Sequence, residues 1–236
     1  MIGSVHVVGS GRAGSALAGR LRAGPLSVTT GRAVDPRAEL VLLAVPDSAI
    51  GEVAGSIPVG PWIAHVSGAT SVTALAPHQR RFSLHPLQTL TADRGPEQLD
   101  GAWAAITFET PEARETATWL SDQLGLRWFE LADADKALYH AGASMASNFL
   151  VTLYRLAAQL VETSGAPPEA LVPLMRRVIE NGFQLTGPIA RGDWATVDAH
   201  LAAIRSRAPE IEPVYTALAE ATRVVAERDA DVDADR

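Results

Sequence analysis

The chain has 236 residues, of which 47% are hydrophobic and none is cysteine, and its formal net charge is −7 at pH 7. The lack of cysteine excludes disulfides, thiolate metal ligands and a cysteine nucleophile, and the acidic balance argues against nucleic acid as a partner. The first residues lack a signal-peptide pattern and no apolar run reaches the ~20 residues of a membrane span, so we expect a globular cytoplasmic protein without a membrane partner.

The first half of the chain alternates short β-branched runs with helix-like segments, a pattern typical of a parallel sheet with crossover helices. A helix is predicted over residues 12–23, because Gly24 and Pro25 would end it. Asp47 is predicted to be the N-cap of a second helix that ends at Val53. Strands are predicted over residues 3–8, 27–32, 40–45, 62–67, 81–84 and 103–108.

From residue 133 onward the sequence changes character and predicts an all-helical second half. Residues 133–165 contain no proline, have apolar residues at helical spacing and end at a glycine. Further helices are predicted over residues 168–182 and 193–228. Residues 229–236 have almost no apolar content, which predicts an acidic tail.

The stretch from Val7 to Leu17 reads VVGSGRAGSAL and has its three glycines in GxGxxG order, between a predicted strand and a predicted helix. In this context the first glycine permits a tight turn and the second lets the backbone approach a pyrophosphate. The helix N-terminus then offers free N–H groups to the phosphates. A glycine turn with a purely structural role is the alternative. The cofactor-binding residues predicted here are Gly9, Ser10, Gly11, Arg12, Ala13 and Gly14.

The end of the second strand indicates which dinucleotide to expect. An acidic residue there would bind the ribose 2′-hydroxyl of NAD, whereas an arginine suits the 2′-phosphate of NADP. The sequence has Arg32 at this place and Asp35 three residues later. We therefore predict that Arg32 contacts NADP, with NAD as the alternative cofactor. The other interpretation of Arg32 is a solvated surface residue.

Three further strand ends carry candidate residues. Val45 and Pro46 follow the third strand and are predicted to contact the nicotinamide ribose, although an ordinary strand end explains them equally well. Ser67 lies at the next strand end, at the edge where open α/β sheets bind ligands. His85 precedes a proline that forces an extended backbone, and it is predicted as a site residue, with a structural role as the alternative. No histidine has the spacing of a metal site, so no metal is predicted.

Six stretches of the chain together resemble a known family: VVGSGRAGSAL, LVLLAVPDSAI, HVSGA, SLHPLQTL, LYHAGASMASNFLVTL and LTGPIARGDW. They are similar to NAD(P)-dependent oxidoreductases that join a Rossmann-like domain to a C-terminal helical domain of unknown function. These proteins are related to ketopantoate reductases and 6-phosphogluconate dehydrogenases. The resemblance covers nearly the whole chain and implies a two-domain reductase, with a small 2-keto acid as the leading substrate class.

The fold class that we predict is α/β, with a shortened Rossmann-like parallel sheet followed by an all-helical C-terminal domain. The dinucleotide-binding domain is predicted over residues 1–132, the helical substrate and dimerisation domain over 133–228, and the acidic tail over 229–236. The sheet is called shortened because few residues separate the second strand from the stretch AELVLLAVPD, where such domains usually carry another helix and strand. A binding protein with a relic Rossmann domain is the rival interpretation.

The long predicted helix carries a stripe of polar residues. His140, Ser144 and Ser147 follow i, i+4, i+7 spacing, which keeps them on one face, with Asn148 at its edge. In the related dehydrogenases a lysine and an asparagine on the matching helix bind the substrate, but the only lysine of this chain is Lys136, one turn before His140. We predict His140 as the proton donor, since imidazole titrates near neutral pH, and Asn148 as a substrate ligand. Packing of the stripe against another helix is the alternative.

The function predicted from the sequence is an NADP-dependent reductase of a small carbonyl compound, with His140, Asn148 and His85 as catalytic residues. A cyclic-imine reductase resembling pyrroline-carboxylate reductase is the enzyme alternative, and a non-catalytic dinucleotide-binding dimer is the other. The stretch MASNFLVTLYRLAAQL is too apolar for a helix that faces water, which predicts a homodimer built on the helical half.

Overall fold

The structure is a computed structural model that describes residues 2–234. The chain divides into two compact units, Met1–Ser147 and Asn148–Arg236. The division falls inside a π-helical turn, Met145–Phe149. The domain boundaries proposed from the sequence stay predictions. Within the described part of the chain, no helix has both the length and the apolar character that crossing a membrane requires.

Seven strands form one sheet in the first unit. Its strand order is 2-1-3-4-5-6-7, and neighbouring strands are parallel except the fifth and sixth, which are antiparallel. The fold class predicted from the sequence is confirmed. The strands are β1 (Ser4–Val8), β2 (Ser27–Thr30), β3 (Leu40–Leu43), β4 (Trp62–His65), β5 (Arg81–Leu87), β6 (Trp103–Phe108) and β7 (Arg127–Glu130).

Four helices belong to the first unit, and apolar side chains cover both faces of its sheet. The helices are α1 (Arg12–Arg22), α2 (Ile50–Ser56), α3 (Pro111–Gln123) and α4 (Lys136–Ser144). β3 and β4 are buried along their whole length, as parallel strands between two covered faces must be. Leu42 points to the core shared with α1 and α3, and Leu43, its neighbour, points to the core shared with α2.

One edge of the sheet is shortened, as predicted. The chain forms neither strand nor helix between Thr30 and Leu40, so β2 is an edge strand. β1 lies between β2 and β3, which makes the boundary between β1 and β3 the point where the strand order reverses. In open α/β sheets, ligands bind outside the carboxyl ends of the strands at this point.

Three local predictions need correction. β5 continues to Leu87 rather than ending at residue 84, because its antiparallel pairing with β6 extends that far. β7 was not predicted. Asp47 is not an N-cap: the helix begins with a 3-10 turn, Asp47–Ala49, and the carboxylate of Asp47 accepts a hydrogen bond from Ser67 Oγ at 2.7 Å instead.

The second unit is helical within the described residues, as predicted. Its helices are α5 (Leu150–Thr163), α6 (Leu171–Glu180), α7 (Trp194–Arg207) and α8 (Glu212–Ala234). A small core joins Ile204 and Ile211 to Leu156 and Leu160 of α5. The acidic segment from residue 229 continues α8 to Ala234, and residues 235–236 of the predicted tail lie outside the described residues.

Candidate active site

The glycine turn leads from β1 directly into α1, as the sequence predicts. Gly9 has a φ of 118°, and a Cβ there would collide with the carbonyl oxygen of Ala44 after β3. A Cβ at Gly14 would collide with the carbonyl oxygen of Gly9. Backbone conformation and close packing therefore require glycine at both positions, whether or not a ligand binds.

Gly11 differs from the other two glycines because it faces open space. Its φ is −73°, and no heavy atom lies within 4 Å of the place that a Cβ would take. Neither strain nor packing requires glycine there. No side chain caps α1, and its first turn carries no acidic residue. A backbone that stays bare at a helix N-terminus suits the close approach of a phosphate.

A cavity of about 370 Å³ opens beside Gly11. Its far wall is the segment 91–96 after β5, which the sequence analysis did not single out. The buried side chain of Gln98 holds this segment, since its amide donates to the carbonyl of Arg94 at 2.9 Å and its oxygen accepts from the N–H of Thr91 at 2.8 Å. Arg12 and Arg94 both line the cavity, so two cations flank the turn.

Arg32 and Asp35, the residues that were expected to select the cofactor, have different surroundings. Arg32 is exposed just after β2. The carboxylate of Asp35 accepts two side-chain hydrogen bonds from Arg37, at 3.1 and 3.0 Å. These hydrogen bonds hold the pKa of Asp35 below its usual value. Asp35, the acid that keeps NAD as the alternative cofactor, is therefore already paired with a neighbouring arginine.

The residues after β3 and β4 differ in their exposure. Val45 is half-buried and packs against the core beneath α2, whereas Pro46 is exposed. Ser67 is buried, and its hydroxyl donates to Asp47 and accepts from the N–H of Thr70 at 3.0 Å. Ser67 thus joins the loops after β3 and β4, and a contact between its side chain and the cofactor stays a prediction.

His85, Tyr139 and His140 meet beside Gly68. The Nδ1 atom of His85 lies 2.8 Å from the hydroxyl oxygen of Tyr139. The imidazoles of His85 and His140 are edge to face, with 5.9 Å between ring centroids. A Cβ at Gly68 would lie 2.8 Å from ring atoms of both histidines. Glycine at this position therefore gives the two imidazoles room to lie side by side.

Burial shifts the pKa values of His85 and Tyr139. It lowers the pKa of His85 to about 4, with further lowering by His140 and Lys136 and an opposing effect of Asp47. Burial also raises the pKa of Tyr139 to about 12. At neutral pH both groups are uncharged, so the contact between them is a hydrogen bond between a neutral imidazole and a protonated phenol.

The polar stripe of the long helix is interrupted. The π-helical turn begins one residue after Ser144 and changes the register on which the predicted i, i+7 spacing depends. Ser147 Oγ donates to the carbonyl of Ala143 at 2.8 Å. Asn148 is exposed and belongs to the second unit, so its role as a substrate ligand stays a prediction. Tyr139, which the sequence analysis left out of the site, takes the position next to His85.

One more buried histidine lies near the site but is held by the backbone. Nδ1 of His65 accepts from the N–H of Ser67 at 3.2 Å, and Nε2 lies 3.3 Å from the carbonyl of Ser71. Burial lowers the pKa of His65 to about 4. Across residues 2–234, no three His, Asp or Glu side chains are grouped to hold a metal ion.

The fold and the carboxyl edge of the sheet define the class: a Rossmann-like α/β unit with a glycine turn at the switch point, followed by a helical unit. Residues 102–222 match the family described as Domain of unknown function (DUF2520), and the chain belongs to this family. No curated protein sequence matches the chain.

Solved structures share this fold. A protein from Bacteroides fragilis, named "putative NADP oxidoreductase", has a TM-score of 0.79 and 19% identity over 94% of this chain and 98% of its own. A protein from Thermotoga maritima has a TM-score of 0.79 and 23% identity over 96% and 99% of the two chains. The 1-pyrroline-5-carboxylate reductase of Streptococcus pyogenes has a TM-score of 0.63 and 15% identity over 95% and 98%.

Proposed function

We propose that the protein is an NADP-dependent reductase of a small carbonyl compound, with 2-keto acids of the ketopantoate type as the leading substrate class. The observation that carries this proposal is the bare face of Gly11 on a cavity lined by Arg12 and Arg94. The glycine turn follows the carboxyl end of β1, and His85 lies near the carboxyl end of β5, which runs in the same direction as β1. The turn and the cluster of His85 and His140 therefore lie toward the same edge of the sheet.

The chain has a donor set that suits each part of the cofactor. The N–H groups that begin α1, together with Arg12 and Arg94, suit the pyrophosphate. Arg32 is exposed at the end of β2, where it suits a 2′-phosphate. Because Asp35 is already bonded to Arg37, it is a poor partner for a ribose 2′-hydroxyl, and this favours NADP over NAD.

The residues of the cluster supply the proton. When bound, the nicotinamide supplies a hydride to the carbonyl carbon of the substrate. His140 donates a proton to the substrate oxygen, which balances the hydride and yields an alcohol. His85, neutral at pH 7, positions Tyr139 through their shared hydrogen bond. Asn148 binds the substrate.

A cyclic imine is the second candidate substrate, because the chain shares its fold with a reductase named for pyrroline carboxylate. The same hydride and proton would then reach the carbon and nitrogen of a C=N bond. Fluorescence titration with NADPH and NADH tests the cofactor, and a panel of 2-keto acids and cyclic imines tests the substrate. Binding of neither nucleotide at millimolar concentration would refute the proposal, and binding without turnover would indicate a non-catalytic dinucleotide-binding protein.

We further propose that the protein is a homodimer built on its helical unit, located in the cytoplasm. Large apolar side chains are exposed on this unit: Leu174 at 60%, Ile179 at 57% and Phe183 at 70%. Leu174 and Ile179 belong to α6, and Phe183 follows it in the chain. Exposed large apolar side chains that are grouped in this way are typical of an interface. A second copy of the chain is the occupant that the predicted dimerisation domain implies. The relation to ketopantoate reductase and 6-phosphogluconate dehydrogenase stays a prediction.

A further inference from the structure

Lys136 is a buried, charged residue that has no assigned role in the proposed reaction. It is the only lysine of the chain and the first residue of α4, and it is 2% exposed. Its Nζ atom donates to Ser83 Oγ at 2.8 Å and lies 3.3 Å from the carbonyl oxygen of Ser67. Both partners are uncharged, and the two nearby carboxylates, Asp47 and Asp133, act on it only as more distant charges.

Burial in this way has a cost. An ammonium group that leaves water without a paired carboxylate loses hydration energy that neutral acceptors recover only in part. Burial accordingly lowers the pKa of Lys136, and Asp133 and Asp47 oppose that effect. An apolar side chain of similar volume would fill the same space without this penalty. The position of Lys136 therefore calls for a role beyond packing.

Two side-chain hydrogen bonds connect α4 to β5, and Lys136 makes one of them. Ser83 and His85 are two residues apart on β5, so their side chains point to the same face of the sheet. Lys136 and Tyr139 are three residues apart on α4, so they lie on the same side of the helix. Lys136 bonds Ser83, and Tyr139 bonds His85 at 2.8 Å. Because both contacts lie on the same two elements, a shift of α4 that changes the contact between Lys136 and Ser83 also changes the contact between Tyr139 and His85.

We propose that Lys136 is a positioning residue of the reductase site, which sets the register of α4 on β5 through Ser83 and places its charge on the face of β5 that carries His85. This inference rests on the proposed function for its effect on turnover. Its effect on His85 does not depend on turnover and can be measured in the protein without a substrate.

The second part of the role follows from the charges around His85. From α4 it faces Lys136, His140 and the phenol of Tyr139, and from the loop after β3 it faces Asp47. Burial is the largest cause of its lowered pKa, and the electrostatic effects of His140 and Lys136 add to it against that of Asp47. Without the ammonium group, His85 would take up a proton at a higher pH. A protonated His85 can only donate at Nδ1, so it cannot accept there the hydrogen bond that a neutral imidazole can accept from the hydroxyl of Tyr139.

Lys136→Met and Ser83→Ala separate the two parts of the role. Lys136→Met keeps the side-chain length and removes both the charge and the hydrogen bond, whereas Ser83→Ala removes only the hydrogen bond. The ionisation of His85 is measured by NMR titration of its ring protons, assigned with His85→Gln. In Lys136→Met the pKa of His85 should rise toward its ordinary value. In Ser83→Ala it should stay near that of the wild-type protein. In both variants kcat should fall, by up to about 100-fold, because the helix that carries Tyr139 and His140 loses a fixed register.

Lys136→Arg is the third variant, since it keeps a charge at this position. It should keep the low pKa of His85, which a purely structural role of Lys136 does not require. A folded Lys136→Met protein with the wild-type titration of His85 overturns the role of the charge, and Ser83→Ala with unchanged kcat overturns the role of the register. If Lys136→Met does not fold, a raised pKa of His85 in Lys136→Arg would overturn the charge role instead. A wild-type protein that binds no nicotinamide nucleotide contradicts the proposed function but leaves the His85 titration as a valid test.

Discussion

His85 and Tyr139 are 54 residues apart in the sequence, yet the hydroxyl of Tyr139 lies 2.8 Å from Nδ1 of His85. Their contact joins the end of β5 to α4 beside the second imidazole, that of His140. Because the contact is made by two neutral groups, it can orient a side chain without adding a charge to the site. The candidate proton donor is therefore the other histidine of the cluster.

Replacing His140 by alanine should lower turnover by about 10²–10⁴, the usual share of general acid catalysis. The affinity for NADPH should change little, because His140 does not line the cavity at the glycine turn. The pH–rate profile should also lose one limb. Steady-state kinetics and fluorescence titration measure the two effects. His200→Ala is a matched control, since His200 also contacts a tyrosine but lies on α7. Normal turnover with an unchanged pH profile would exclude His140 and leave His85 as the candidate.

Gly11→Ala should weaken NADPH binding without destabilising the protein. The added methyl group meets no protein atom within 4 Å, but it would occupy the space through which a pyrophosphate approaches the backbone. Isothermal titration and thermal unfolding are the measurements. Gly55→Ala on α2 is the control, because its added methyl group also meets no atom within 4 Å. Equal NADPH affinity in both variants would contradict a phosphate site at Gly11.

Arg32→Ala should abolish the preference for NADPH over NADH. A charge-assisted hydrogen bond to the 2′-phosphate contributes about 1.5–3 kcal/mol, which corresponds to roughly 10- to 150-fold in affinity. NADH affinity should stay the same, because NADH has no phosphate at that position. Arg114→Ala, which removes an arginine that pairs with Glu130, is the control. A preference that survives in Arg32→Ala would identify Arg32 as a solvated surface residue.

Leu174→Glu should convert the proposed homodimer into a monomer. Leu174 is 60% exposed on α6, and a carboxylate in an apolar interface would lose its hydration without a partner. Light scattering at micromolar concentration measures the mass. Val59→Glu, at a side chain that is 67% exposed in the first unit, should leave the mass unchanged. A wild-type protein of monomer mass would rule the dimer out.

The free energy of unfolding should decrease as the pH falls from about 6.5 to about 4. Burial lowers the pKa of both His65 and His85 from 6.5 to about 4, so in this window the unfolded chain binds protons that the folded protein does not. Each histidine then lowers stability by about 1.4 kcal/mol per pH unit at most, and neither contributes above pH 6.5. Urea unfolding on both sides of the window measures the slope. His65→Gln should reduce it, and an unchanged slope in that variant would contradict the assignment.

The sequence by itself determined the features that depend on residues close together in the chain. The GxGxxG order placed the turn between β1 and α1, since it stands between a run of strand-forming residues and a stretch with helical spacing. Runs of apolar residues located β3 and β4, and helical spacing predicted the second half. The sequence also showed that a helix and a strand are missing after β2, because the segment between β2 and β3 is too short to form them. Strand ends were less well predicted, because they depend on pairing with another strand. β5 is longer than predicted because β6 pairs with it.

Only the tertiary structure decided which distant side chains meet and what burial does to them. The carboxylate of Asp47 accepts a hydrogen bond from Ser67 and does not cap its own helix. Which of these partners it has depends on where the fold places the loop that carries Ser67. The contact between His85 and Tyr139 and that between Lys136 and Ser83 both join residues from separate elements. Hydrogen bonds of this kind depend on the register of packed elements, and the lowered pKa values depend on the removal of water from buried groups. The spacing of residues in the sequence specifies neither the register nor the burial.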